Sequence, residues 1–416
     1  MTTTEVPQET STSYPMTREC PYRPAAELGR LQAEEPITRA RIWDGSTPWL
    51  LTRYADVRSV LADPRFSSDP YRDGYPTVAA SRKMRQDRQR PSFIFMDDPD
   101  HARLRKMLIG EFTVRRIETL RPLIEQTVIE LLDAMEAGPR ETGSRLAGTS
   151  MSTDLVQAFA LPLPSLVICH LLGVPYSDHA FFQEQSHALL DLTSGEDTVF
   201  GALDALQGYL DDLAETRRRN PADDLISRLG ARVDAGELEP SEVSAMAFLL
   251  LVAGHETTAN MIGLGTLTLL HHPDQAALVR DGDTATVRSA VEELLRVLTV
   301  THLGRRRVAL TDVEVDGTLI RAGEGVILAA EAANRDPEKY SDPDDLDVTR
   351  GTNQHVAFGF GIHQCLGQPL ARIELQIAYP ALLRRFPDLR VTVPDSEIRF
   401  RDQMAVYGVH ELPVAF

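Results

Sequence analysis

The chain has 416 residues, of which 43% are hydrophobic, and a formal net charge of −18. That is enough apolar material for one large continuous core, and the acidic balance argues against a generic nucleic-acid binder, which would collect basic surface. The longest conspicuous apolar run, Ala245 to Ala253, is too short to cross a bilayer, and no basic segment followed by an apolar core opens the chain, so no membrane anchor and a cytoplasmic location are expected.

In chain order, residues 1–18 are polar, carry Pro7 and Pro15, and read as a flexible tail, with one folded domain over 19–416. Trp49 to Thr52 reads as a strand, followed by a helix carrying Val57, Val60 and Leu61 that Pro64 ends. Ser67 to Pro91 is rich in charge, glycine and proline and reads as a long loop with a brief helical insert. Helical spacing dominates from His101 to Met135, Leu155 to Leu172, Phe181 to Leu190 and Leu203 to Arg217. A further helix is predicted from an N-cap at Ser241 to Leu270, and another over Thr286 to Val297. Short strands follow at Arg307 to Leu310, Val313 to Val315 and Gly325 to Ala329, then a helix over Pro369 to Arg385 and short strands over Val391 to Phe416. The expected fold class is mainly α with smaller β regions.

Cys20, Cys169 and Cys365 are too few and too scattered for a disulfide framework or a zinc site. Cys365 differs from the other two in its surroundings. The run Phe358-Gly359-Phe360-Gly361-Ile362-His363-Gln364-Cys365-Leu366-Gly367 is a glycine-bearing loop that delivers one cysteine to the start of a helix. Backbone donors and the positive helix end favour its thiolate, a soft ligand for iron; a lone cysteine without such a loop would be a small core residue. A second segment, Ala253-Gly254-His255-Glu256-Thr257-Thr258, places polar groups within an apolar helix, which is costly unless they are bonded. A third, Glu293-Leu294-Leu295-Arg296, has the spacing of a helical ion pair.

Together these segments, in this order, resemble the cytochromes P-450, the haem-thiolate monooxygenases, over nearly the whole chain. The nearest resemblance is to soluble actinobacterial members acting on macrolides, sterols, terpenoids or drugs. The scarcity of lysine, limited to Lys83, Lys106 and Lys339, fits a G+C-rich genome. The resemblance implies the P-450 fold and a haem b whose axial thiolate is Cys365. It also implies cofactor contacts at Gly254, Phe358, Gly359 and Gly367, and propionate contacts at His101, Arg105, Arg307 and His355, with Arg306 as the register alternative to Arg307. Glu256 would relay protons and Thr257 would orient water and oxygen. Glu293, Arg296 and Arg350 would support the haem core.

The implied reaction is hydroxylation of a bulky hydrophobic molecule, a polyketide macrolide, sterol or terpenoid of secondary metabolism, with O2 as cosubstrate. Electrons would come from a separate ferredoxin and an NAD(P)H-dependent ferredoxin reductase, docking near Arg103, Lys106 and Gln364. A monomer is expected. The substrate pocket is assigned to Phe93, Phe95, Leu249, Ala253, Val300, Leu303, Met404 and Val406, with Arg85 to Met96 as a closing loop. The alternative is a non-catalytic haem-binding or ligand-sensing protein on the same scaffold.

Overall fold

The computed structural model describes residues 12–138, 151–351 and 354–416. A six-stranded sheet is formed by β1 (Thr12–Ser13), β2 (Ile37–Arg41), β3 (Trp49–Leu51), β4 (Phe66–Ser67), β5 (Arg305–Ala309) and β6 (Gly325–Leu328), in the order β1-β2-β3-β6-β5-β4. In β6 all four residues are buried, and Leu50 and Leu51 of β3 are too, so the sheet's centre is apolar on both faces. The bulk of the remaining chain is helical, and six helices place the site: α1 (Ala80–Arg88), α2 (Asp100–Ile109), α3 (Pro162–Leu172), α4 (Pro240–Leu270), α5 (Thr284–Leu298) and α6 (Gln368–Arg385).

The 31-residue α4 is apolar on every side and is accordingly buried against α3, α6 and the helix Glu196–Arg219. By length and composition it would also pass for a membrane span, yet 72% of that window is buried inside the protein. It starts two residues earlier than predicted. Pro240 occupies the first turn, and Glu239 and Glu242 form the capping box, so Ser241 is not the cap.

The expectation of a flexible tail over 1–18 is corrected for its described part. Thr12–Ser13 add a parallel strand to β2, and Tyr14 is buried with its hydroxyl donating to Glu331 at 3.2 Å. The Arg18 guanidinium stacks 3.9 Å from the Tyr407 ring. An aromatic and an arginine anchor this segment, which its polar composition did not reveal. Residues 1–11 lie outside the described residues.

The helical insert predicted in the Ser67–Pro91 loop is α1. Two segments depart from the expected elements for local reasons. The stretch before α3 runs as a π-helical turn over Val156–Ala160, ahead of Pro162. Toward the carboxyl end, only Arg390–Val391 and Pro413–Ala415 form strands, joined in a small sheet with Ser152–Asp154.

Candidate functional site

Between α4, α6, β5 and the loop before α6 lies a cavity of about 440 Å³. Cys365 opens onto it from the loop. The turn that presents it needs its glycines: Gly359 and Gly361 have φ of 71° and 73°, and a Cβ on Gly361 would stand 2.4 Å from the Leu61 carbonyl oxygen. The Cys365 N–H donates to the Phe358 carbonyl at 2.9 Å, closing the loop. The thiol lies deep in the protein, although the cavity leaves its side chain accessible. Burial pushes its pKa up, while the Gly367 N–H and the guanidiniums of Arg305 and Arg105 favour the thiolate.

Phe358, Gly359, Gly367, Arg105 and Arg307 line the same cavity. Arg105 is held by donating to the Gln364 carbonyl at 2.6 Å, and Arg307 to the Arg306 carbonyl at 2.7 Å. His101, buried behind this wall, has its Nδ1 3.0 Å from Asp98 Oδ1 and leaves Nε2 without a partner.

His355 is a correction. It is absent from the cavity wall, and its Nε2 lies 3.2 Å from a Glu292 carboxylate oxygen. Burial alone would raise Glu292, but His355 and Arg372 hold it down to about 2. The histidine on the cavity is His363, which sequence reasoning quoted in the loop without giving it a role. Its ring centroid is 4.1 Å from that of His101, its Nε2 is 3.0 Å from Ser68 Oγ, and its Nδ1 is buried without a partner. Burial and the neighbouring Arg307 push His363 down to about 3. The available signal was its place two residues before Cys365, inside the turn.

This donor set fits a haem. A thiol, two guanidiniums and the His363 imidazole line the cavity, His101 packs against His363, and each imidazole keeps a nitrogen without a partner, donors suited to an iron and to carboxylates.

On the opposite side, Ala253, Gly254 and Thr257 line the cavity from α4. Gly254 is required by packing: a Cβ there would come within 2.9 Å of Ile168 in α3. The Thr257 hydroxyl donates to the Ala253 carbonyl at 2.8 Å, which satisfies the turn and leaves its lone pairs available. Glu256, the preceding residue on the helix, points elsewhere. It pairs with Arg401 at 2.9 Å, with Asn260 Nδ2 at 3.3 Å, beside a separate cavity of about 150 Å³.

Of the expected pocket residues, Phe93, Phe95, Leu249, Ala253, Leu303 and Val406 line the large cavity. Val300 and Met404 do not; they are buried in the core, and the adjacent Thr301 and Ala405 take their places. Glu293, Arg296 and Arg350 form the expected buried cluster, with Arg296 donating to both Glu293 oxygens at 2.7 and 2.8 Å and Arg350 Nε to Glu293 at 2.9 Å. Arg103, expected on the docking face, is paired with Glu242.

Comparison with known proteins agrees with this geometry. The family model described as Cytochrome P450 matches residues 188–405. Cytochrome P450-SU2 of Streptomyces griseolus is 53% identical over 95% of this chain and 94% of its own length. The 20-oxo-5-O-mycaminosyltylactone 23-monooxygenase of Streptomyces fradiae is 41% identical over 100% of this chain and 94% of its own. Among solved structures, GfsF superposes with a TM-score of 0.88 at 45% identity, covering 98% of this chain and 100% of that one. The complex of CYP105P1 with filipin I gives 0.87 at 41%, covering 98% and 99%. A cysteine loop facing a threonine-bearing helix across one cavity, together with relatives matched over almost their full length, establishes that this chain belongs to the cytochrome P450 family and is a monooxygenase.

Proposed function

We propose that the chain uses O2 to hydroxylate a bulky hydrophobic small molecule, a polyketide macrolide, sterol or terpenoid of secondary metabolism, in the cytoplasm as a monomer. The observation that carries this is the shared cavity: Cys365 and Thr257 open on one space whose remaining wall includes Phe93, Phe95, Leu249 and Val406. The names of relatives support the substrate class, among them the mycaminosyltylactone monooxygenase, a vitamin D3 dihydroxylase and the filipin I complex.

When bound, haem supplies the oxygen activation. Cys365 would hold it from the α6 side, and Arg105, Arg307, His101 and His363 would bind its propionates. Thr257 Oγ1 would accept a proton-donating water while its own hydrogen stays on Ala253. We assign Glu256 to the supply of those protons from the second cavity, with Arg401 holding it there. The apolar wall would exclude bulk water once substrate is seated.

Electrons come from a separate ferredoxin and its NAD(P)H-dependent reductase. Exposed Lys106, next in sequence to the Arg105 that bonds Gln364, is the favoured docking cation, and Arg103 contributes less because Glu242 neutralises it. Reconstitution with these partners, NADPH and a panel of macrolides, sterols and terpenoids tests the reading. Insertion of one oxygen atom supports it; tight ligands that are never oxidised would mark a non-catalytic haem protein. Thr257→Ala should lower product per NADPH several-fold and raise peroxide, whereas Glu256→Gln should slow turnover with less uncoupling. Unchanged coupling in Thr257→Ala would remove its assignment.

A further inference from the structure

Seven arginines line the large cavity: Arg82, Arg85, Arg90, Arg105, Arg305, Arg306 and Arg307. Only one carboxylate, Glu374, faces the same space. Four of the seven have an assigned occupation. Arg105 and Arg307 belong to the propionate set, Arg90 is paired with Asp211 at 2.5 Å, and Arg305 donates to the Ala357 carbonyl at 3.0 Å. Arg82, Arg85 and Arg306 are left over.

The helix that carries two of them makes the contrast internal. The other two basic residues of α1 have acidic partners, Lys83 with Asp87 and Arg88 with Asp204, and so does Arg90 just after it, with Asp211. Arg82 and Arg85, three residues apart and turned toward the cavity, have no carboxylate partner among the described residues. Arg85 makes only neutral contacts, its Nε to Gln89 at 2.6 Å and Nη1 to the Leu189 carbonyl at 3.5 Å. The Nε atoms of Arg82 and Arg306 are buried with no hydrogen-bond partner at all. The nearby buried acid, Glu331, is engaged by Tyr14 and is not part of the cavity wall.

We propose that these three guanidiniums are a recognition site for an anionic group on the substrate, so that the molecule oxidised is an amphiphile carrying a carboxylate or comparable oxyanion on an apolar skeleton. The inference rests on the monooxygenase reading and narrows its substrate class. Like charges on one face of a helix repel, and burial of an unpaired cation is unfavourable; an oxyanion seated among them removes both costs. Burial, with Arg306 adding like-charge repulsion, lowers the proton affinity of Arg82 and Arg85, the latter to about 10. Arginine's planar donor fork suits a carboxylate, and Phe93, Phe95 and Leu249 offer the apolar body its place in the same cavity.

The test uses a homologous series of ω-imidazolyl carboxylic acids and their methyl esters, in which the imidazole anchors at the iron and the chain sweeps the carboxylate through the cavity. Affinity for the holoenzyme is measured by spectral titration and, independently, by calorimetry. At one chain length the acid should bind at least about tenfold tighter than its ester, and Arg82→Gln/Arg85→Gln should bring the two to within about twofold. Arg82→Lys should keep most of the preference, and the single Arg82→Gln variant reports if the double one does not fold. Equal or weaker binding of the acid at every length, or an undiminished preference in the Arg82→Gln variants, overturns the proposal. An enzyme that prefers the acid yet oxidises none of the tightly bound carboxylic acids that lack the imidazole anchor would instead defeat the proposed hydroxylation and leave the anion site standing.

Discussion

Two clusters of arginine, one buried around Glu293 and one on the cavity wall, teach opposite lessons. Around Glu293, every charge finds its partner within the chain. Arg296, with its side chain wholly buried, donates to both Glu293 oxygens and to the carbonyls of Asn334, Pro343 and Asp345. Arg350 and the Asp347 N–H complete the Glu293 carboxylate. Around the cavity, Arg82, Arg85 and Arg306 have no carboxylate partner among the described residues, and the Nε atoms of Arg82 and Arg306 have no hydrogen-bond partner. The Glu293 cluster is neutralised within the fold, whereas the cavity arginines lack the counter-charge that an anionic ligand would supply.

The comparison breaks first at the satisfied cluster. Arg296→Ala leaves the Glu293 carboxylate buried opposite Arg350 alone and should destabilise the protein by ~3–5 kcal/mol, with loss of haem, as read from the denaturation midpoint and the haem-to-protein ratio. A loss under ~1 kcal/mol would mean the cluster is not what holds this region.

Glu374 sharpens it next. Burial raises its pKa from 4.5 to about 8, with only the Thr258 hydroxyl opposing the rise. The folded state keeps this proton where the unfolded chain releases it, so its contribution is fully present below about pH 4.5 and is lost as pH rises through about 8. Glu374→Gln should therefore gain stability relative to the parent between pH 5 and pH 9. A parallel pH dependence of the two would show that Glu374 is not the group concerned.

The smallest effect belongs to the cavity. Arg82→Gln removes a charge that has no partner, so stability should be neutral or slightly increased, within about 1 kcal/mol. A loss comparable to that of Arg296→Ala would place Arg82 among the structural arginines and erase the distinction.

Which parts were legible in the sequence follows the same division. The Cys365 loop, the acid-threonine pair and the Glu293–Arg296 pair could be read because each is a local pattern carried within a few residues. His355 was assigned from the resemblance and His363 was given no role, because only packing, against Glu292 for one and Ser68 for the other, shows which histidine faces the cavity. Val300 and Met404 were each one residue from the cavity wall, since irregular extended chain does not reveal its facing. Glu256 and Thr257 were treated as one unit, yet successive helix positions differ by about 100° and open on different cavities. The unpaired arginines were invisible, because a missing partner is a property of the folded neighbourhood. So was the anchoring of Tyr14 and Arg18, whose contacts lie hundreds of residues away.

The central claim, that Cys365 ligates a haem iron as thiolate, is tested most directly by the carbon-monoxide complex of the reduced protein beside Cys365→His. The parent should absorb near ~450 nm, the signature of thiolate ligation, and the variant should lose that band and nearly all oxygen insertion even where it keeps haem. A variant that retains both the ~450 nm band and product formation would contradict the assignment.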